Sequence, residues 1–198
     1  MPPDDGDPYL YPDSDVLRNK PGLRSADVLA HYEYERTAMR LDEMRQWPPP
    51  DRFDLDELKR LHFHIFQDVY DWAGSIRTVD IARAGQMFCR PAFLESEGKR
   101  LADALAKEKL LRGLDRTAFV ERLAEHYGDW NALHPFRDGN GRATREFFRQ
   151  LAKQAGHELD LTKIERGAWN AASASSFQGD TKPLRDVLAT AVRPHRVI

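Results

Sequence analysis

The strongest constraint on the fold lies between residues 119 and 155, where two apolar helical patterns meet at a turn too rich in glycine to continue either. Phe119, Val120, Leu123, Tyr127 and Trp130 form a strongly apolar face at helical spacing. Phe147, Phe148, Leu151, Ala152 and Ala155 carry a second pattern to Gly156, a natural residue just past a helix end. Between them runs His134-Pro135-Phe136-Arg137-Asp138-Gly139-Asn140-Gly141-Arg142-Ala143-Thr144-Arg145. Pro135 biases His134 out of the α region, so the arriving helix should end at that histidine. Gly139 and Gly141 permit left-handed or closely approached backbone, so consecutive N–H groups can face one concavity. The pattern turns helical again from Arg142, which places the turn at a helix N-terminus, where anions bind readily.

The residue types in this turn suit phosphate chemistry. His134 is a natural general base, since its intrinsic pKa lies near neutrality. A helix C-terminus would raise that pKa and a neighbouring arginine would lower it, so sequence leaves its protonation open. Asp138 beside an anion cradle is where Mg²⁺ would want a carboxylate together with phosphate oxygens. It also reads as an ordinary turn former. The Asn140 amide can donate to a phosphate. Arg142 and Arg145 stand at i and i+3, on one helix face near its N-terminus, and Arg149 extends the row. Cations at a helix N-terminus are unfavourable unless anions compensate, and such local conflicts mark functional sites. These parts together suggest a nucleoside triphosphate held by amides, Mg²⁺ and arginines, with His134 activating a hydroxyl.

The rest of the chain reads as one helical domain with a small hairpin. Residues 1–24 lack periodicity and should form an extended leader, with Tyr9, Leu10, Tyr11, Val16 and Leu17 docking on the body of residues 25–198. Ser25 predicts the cap of a helix from Ala26 to about Gln46, ended by Trp47 and three prolines. Asp54 with Glu57 predicts a capped helix to about Trp72. His62 and His64 project about 200° apart on that helix and do not share an ion easily. Residues 76–88 are the only stretch that reads as β, a hairpin with Gly85 near its turn and an edge that could receive an extended peptide. Pro91 opens a helix to about Leu111. Thr162 with Glu165 predicts a capping box for a helix through about Ser176, and Pro183 opens a last helix through about Val192.

Composition narrows the function classes. The 198 residues carry 30 Lys+Arg against 32 Asp+Glu, a formal net charge of −2, which gives no global steering toward nucleic acid or anionic membrane. Cys89 is the only cysteine, so no intrachain disulfide forms, and it reads as a half-buried structural thiol in a reducing compartment. The acidic, proline-rich N-terminus is the opposite of a signal peptide, and no apolar run reaches transmembrane length. A cytoplasmic protein is expected; export by a route without an N-terminal signal stays compatible with the sequence.

The string HPFRDGNGRATR matches the signature of the Fic family, H-P-F-x-[D/E]-G-N-G-R-x-x-R, at every defining position. The leader YLYPDSDVLRNKPG, the hairpin IRTVDIARAGQMFCRPAFL and the stretch AWNAASASSFQGDTKPL also resemble Fic-domain segments. The resemblance implies an all-α Fic-type bundle with one short β-hairpin flap. It implies transfer of AMP from ATP to a Tyr, Ser or Thr hydroxyl of a target protein. His134 would be the base and Asp138 the Mg²⁺ ligand. Gly139, Asn140 and Gly141 would form the anion hole, Arg142 and Arg145 would contact the outer phosphates, and Phe136 would anchor the motif. Gly85, Gln86, Met87 and Phe88 of the flap, at about 76–89, would register the target. Many members carry an inhibitory [S/T]-x-x-x-E-[G/N] helix whose Glu meets the second motif arginine, here Arg145. This sequence contains no such string. It therefore resembles the class of toxins restrained by a separate small antitoxin protein. Targets of such toxins include type II topoisomerase subunits, and those of translocated members include host GTPases. The alternatives are a phosphotransferase, as in the Doc branch, which departs from the G-N-G-R segment intact here, and a pseudoenzyme, which the intact His134 and Asp138 oppose.

Overall fold

The computed structural model describes residues 6–83 and 85–194. Residues 1–5 of the leader, Ala84 in the hairpin turn and residues 195–198 lie outside the described residues. Seven α-helices carry the described chain: α1 (Ala26–Glu43), α2 (Leu55–Phe66), α3 (Leu94–Lys107), α4 (Arg116–Leu133), α5 (Asn140–Gln154), α6 (Arg166–Phe177) and α7 (Lys182–Ala191). Among the described residues none is long and apolar enough to cross a membrane.

Two helices dominate the core. α4 is covered beyond one stripe, since Val120, Ala124 and Gly128 are buried as well as Phe119, Leu123, Tyr127, Trp130 and Leu133. α5 buries Phe147, Phe148, Leu151 and Ala152. The two meet through aromatic contacts, Trp130 on Phe147 with centroids 4.8 Å apart and Tyr127 on Phe148 at 5.2 Å. Phe53, ahead of α2, meets the other face of Phe147 edge-on at 5.2 Å. Because α4 and α5 are the most enclosed elements, the turn joining them is itself held inside the bundle, with Phe136 fully buried.

Helix ends follow local chemistry, with some corrections. Asp54 caps α2 by accepting the Glu57 N–H at 2.9 Å, and Asp115 caps α4 through the Ala118 N–H at 2.9 Å. Ser25 makes no side-chain cap bond on α1. α2 stops at Phe66, short of Trp72, and the segment after it turns inward so that Val69 and Tyr70 are buried. The expected capping box before α6 is replaced by Glu165 as the cap itself, accepting from the Gly167 and Ala168 N–H groups at 2.8 Å. Thr162 belongs instead to a short 3-10 turn capped by Asp160. α5 begins at Asn140, two residues earlier than the apolar pattern indicates.

The hairpin is shorter than its sequence suggests. Only β1 (Ala82–Arg83) and β2 (Gln86–Met87) pair, with Ala82 opposite Met87 and Arg83 opposite Gln86. A second strand pair went unseen in the sequence: β3 (His157–Leu159) runs antiparallel to β4 (Val192–Pro194). Three residues give too little alternation to register as a strand, and the partner lies more than thirty residues on. The pair closes the end of the bundle behind α5, and His157 stacks on Phe119 at 4.0 Å.

The described part of the leader lies on the body. Val16 and Leu17 are buried, and the Lys20 N–H donates to the Val69 carbonyl at 2.8 Å. Tyr9 meets Trp72 edge-on at 5.6 Å, and Asp7 pairs with Arg137 of the motif at 2.6 Å.

Because Phe147 is fully buried between Phe53, Trp130 and Phe148, Phe147→Ala should destabilise the chain by about 3–5 kcal/mol. Urea unfolding monitored by circular dichroism measures this; a loss well under 1 kcal/mol would contradict the central place given to α5.

Candidate active site

The turn between α4 and α5 forms one wall of a cavity of about 830 Å³. α1 supplies Glu33, Tyr34 and Thr37 to it, the flap supplies Arg83, Gln86 and Phe88, and α6 supplies Arg166, Trp169 and Phe177. From the turn itself come His134, Asp138, Gly139, Asn140, Gly141, Arg142 and Arg145.

α4 ends at Leu133, and His134 follows in the left-handed region with φ 46° and ψ 61°. That conformation is strained for a residue with a Cβ and persists only when its surroundings hold it. The ring is held on two sides. Nδ1 lies 3.0 Å from the Asn131 carbonyl, which can only accept, so Nδ1 carries the hydrogen and Nε2 is left as an acceptor. One face stacks on Phe88 of the flap, with centroids 3.8 Å apart and planes at 14°. Burial lowers the His134 pKa to about 4; the Asn131 carbonyl opposes this by favouring the protonated ring, and the Arg77 guanidinium adds to the lowering. Desolvation, reinforced by the arginine, thus outweighs the influences that would raise the pKa. His134 is neutral at pH 7.

The turn is built around Phe136 and Asn140. Phe136 stacks on His62 of α2 at 3.8 Å, and His62 in turn stacks on Phe66 at 4.6 Å. His62 accepts the Gly74 N–H through Nδ1 at 2.9 Å, so its Nε2–H donates to the Asp138 carbonyl at 3.0 Å. Burial lowers the pKa of His62 to about 3, which keeps it neutral. Asn140 has a role the sequence did not reveal. Its Oδ1 accepts the Phe136 N–H and its Nδ2 donates to the Phe136 carbonyl, both at 2.8 Å, so the side chain ties the turn together. Its backbone N–H, in the first turn of α5, is the group placed for an anion.

Gly139 has φ +78°, and a Cβ there would come within 2.3 Å of the Phe66 ring and 3.0 Å of His62 Nε2. Glycine is therefore required both for its backbone and for the space. The Gly139 N–H donates to the Asp138 carboxylate, leaving the other carboxylate oxygen for a ligand. Among the described residues no group of three or more His, Cys, Asp or Glu side chains could hold a metal ion. A lone carboxylate in a cavity wall fits Mg²⁺ arriving with phosphate oxygens, the usual habit of that ion.

The two motif arginines differ. Arg142 donates to Glu33 Oε1 at 2.6 Å and to Thr37 Oγ1 at 3.3 Å, and its guanidinium lies 4.5 Å from the Phe66 ring centre. Glu33 also accepts a hydrogen bond from the Tyr70 hydroxyl. Arg145 folds over Gly141, where a Cβ would sit 3.0 Å from its Nη1. It forms no ion pair among the described residues. Arg149 leaves the row altogether, pairing with Glu146 at 2.6 Å.

In the flap, Gln86 and Phe88 reach the cavity, Met87 is half exposed, and Gly85 has φ +79° at the turn. Cys89 is half-buried, and burial raises its pKa, as befits a structural thiol. Sequence reasoning missed Glu33, Arg77 and His62. None stands in the motif at 134–145, and each gains its place from tertiary contacts.

Comparison with known proteins agrees with this geometry. Residues 52–152 match the model of the Fic/DOC family. The chain is 42% identical over 186 residues to the "Probable protein adenylyltransferase Fic" of Escherichia coli K12, covering 94% of this chain and 92% of that protein. It is 37% identical to the protein adenylyltransferase VbhT of Bartonella schoenbuchensis, covering 94% of this chain and 38% of that longer protein. Among solved structures, BepC, a VirB-translocated effector of Bartonella tribocorum with bound AMPPNP, superimposes with a TM-score of 0.88 at 27% identity, covering 95% of this chain and 97% of that one. By signature, architecture and relatives, this chain belongs to the Fic/DOC family.

Proposed function

We propose that this chain is a protein adenylyltransferase, which moves AMP from ATP to a hydroxyl side chain of a target protein and releases pyrophosphate. The observation that carries the reading is His134, a half-buried neutral imidazole with Nε2 free to accept, set between the flap and the N-terminus of α5. The names of the relatives and the bound nucleotide analogue in BepC support it.

The residues divide the work as follows. The first-turn amides of α5, with Gly139 and Gly141 keeping side chains out of the way, receive the phosphates. Arg145 has the charge available for the outer phosphates, whereas Arg142 shares its own with Glu33. Asp138 would hold Mg²⁺ together with phosphate oxygens, and the ion would there neutralise phosphate charge. The flap aligns a target segment by strand addition along its short edge, through Gly85 to Phe88. His134 Nε2 takes the proton as the target hydroxyl oxygen forms a bond to the α-phosphorus. The bond from that phosphorus to the bridging oxygen breaks, and pyrophosphate leaves with the electron pair. The imidazolium then loses its proton to solvent. Placement and charge stabilisation supply most of the catalysis, as in other phosphorus transfers.

The chain further fits a toxin acting in the cytoplasm and restrained by a separate small antitoxin that presents a Glu to Arg145. Arg145, which forms no ion pair among the described residues and lines the cavity, supports this.

Mass spectrometry of a lysate incubated with the chain, ATP and Mg²⁺ should show AMP added to protein, lost in His134→Ala; a phosphate-sized gain would replace this reading with phosphotransfer. Because protonation removes the base, kcat/KM should fall only as pH drops toward the His134 pKa of about 4 and stay flat across pH 6–8; an inflection near pH 6.5 would mean that His134 is not held neutral. Asp138→Ala should lower turnover by about 100-fold or more and weaken the dependence on Mg²⁺, read from rates across a Mg²⁺ titration. Expression of the chain alone should arrest growth, and co-expression of a protein bearing the inhibitory Glu string should restore it. Arrest that persists despite complex formation would remove the antitoxin reading.

A further inference from the structure

Among the described residues, Arg77 is the one fully buried arginine, with 1% of its surface exposed. No carboxylate pairs with it there. Its partners are backbone carbonyls from three separate segments. The side-chain Nε–H donates to the His134 carbonyl at 2.9 Å, Nη1 donates to the Val79 carbonyl at 2.7 Å, and Nη2 donates to the Cys89 carbonyl. Its own backbone N–H donates to the Pro135 carbonyl at 2.9 Å. Burying a cation costs free energy, and burial does lower the pKa of this guanidinium. Asp80 offsets part of that cost from a distance, but a site that accepts it without a direct ion pair needs a reason.

The reason lies in what the three carbonyls belong to. Val79 and Cys89 are the entry and exit of the flap, whose own ladder is only two residue pairs long. A hairpin that short does not hold itself in water. The third carbonyl belongs to His134, whose left-handed backbone also needs holding. Two further contacts join the same parts: the Cys89 N–H donates to the Ala132 carbonyl at 3.2 Å, and Phe88 stacks on the His134 ring.

We infer that Arg77 is a positioning residue that fixes the flap stem to the backbone of His134, so that the segment aligning the target and the atom accepting its proton keep one fixed relation. The inference rests on the adenylyltransferase reading for its catalytic consequence and on geometry alone for its mechanical one. Lysine cannot substitute, because one ammonium does not present donors in a planar fork toward three carbonyls.

The test uses the full chain with Arg77→Lys. Hydrogen exchange should speed up by about tenfold or more in peptides covering both 78–90 and 130–136, while peptides of α5 stay unchanged. AMPPNP·Mg²⁺ affinity, measured by calorimetry, should stay within about twofold, since α5 still presents its amides. With α-³²P-labelled ATP and a soluble lysate as acceptor, the saturated rate should fall by about 100-fold with KM for ATP little changed, the loss expected of a misplaced base. Faster exchange in only one of the two segments, or an unchanged rate, would overturn the inference. Should Arg77→Lys not fold, the wild-type chain decides: the Arg77 Nε–H should give a slowly exchanging ¹⁵N NMR signal with scalar coupling to the His134 carbonyl, and exchange as fast as at surface arginines would overturn it. A wild-type chain that transfers no AMP would remove the function proposed above while leaving the exchange and NMR results to judge the clamp.

Discussion

The turn from His134 to Gly139 is packed into a helical bundle around Pro135 and Phe136, where peptide groups cannot rely on water. Buried backbone donors and acceptors are almost always paired, and here α5 pairs only the Gly139 carbonyl. Side chains supply most of the other partners. Arg77 takes the His134 carbonyl, Asn140 takes both polar groups of Phe136, and His62 takes the Asp138 carbonyl. The Pro135 carbonyl receives the backbone N–H of Arg77. Each partner fixes one peptide group, so the turn has little freedom left. A rigid, strained loop follows, with a histidine in the left-handed region and a glycine that nothing larger could replace.

The same enclosure sets the electrostatics. A histidine at a helix C-terminus would ordinarily be a better proton holder than free imidazole. Here desolvation reverses that tendency, with the cation of Arg77 behind it, and His134 sits well below neutrality. The tautomer comes from the same packing, since the Asn131 carbonyl can only accept and therefore assigns the hydrogen to Nδ1. What the site needs from its base, a neutral ring with Nε2 outward, is a by-product of burying the loop correctly. Depth and function are one constraint at this position.

Much of this was legible in the sequence because it is written locally. The apolar faces of α4 and α5 sit beside the motif, Pro135 forbids the arriving helix to pass His134, and the glycines mark where the backbone must depart from helix. What was not legible depends on distance along the chain. Glu33, His62 and Arg77 lie 57 or more residues before the groups they hold, and nothing in HYEYER, LHFHIF or SIRTVD distinguishes them from surface charges or a core histidine. The structural role of Asn140 stayed hidden for a related reason. An amide beside an anion cradle suggests a ligand, and only the position of Phe136 shows that the same amide also ties the turn together. The strands β3 and β4 escaped because three-residue segments carry too few alternations, and their pairing is a long-range closure.

The unequal state of the two motif arginines follows from the same long-range contacts and bears on how the site could be switched. Arg142 shares its charge with Glu33, which Tyr70 also holds, so the pair contributes little net charge to the cavity. Arg145, three residues on and on the same helix face, folds over Gly141 without a carboxylate among the described residues. Of the two motif arginines, Arg145 is therefore the one whose charge is left for an incoming phosphate chain, beside a helix N-terminus where a bare cation is least comfortable. A phosphate relieves that conflict, and so would a carboxylate brought by another protein. In the reading proposed above, substrate and a carboxylate-bearing inhibitor would compete for the Arg145 guanidinium, and such an inhibitor would need no contact with His134.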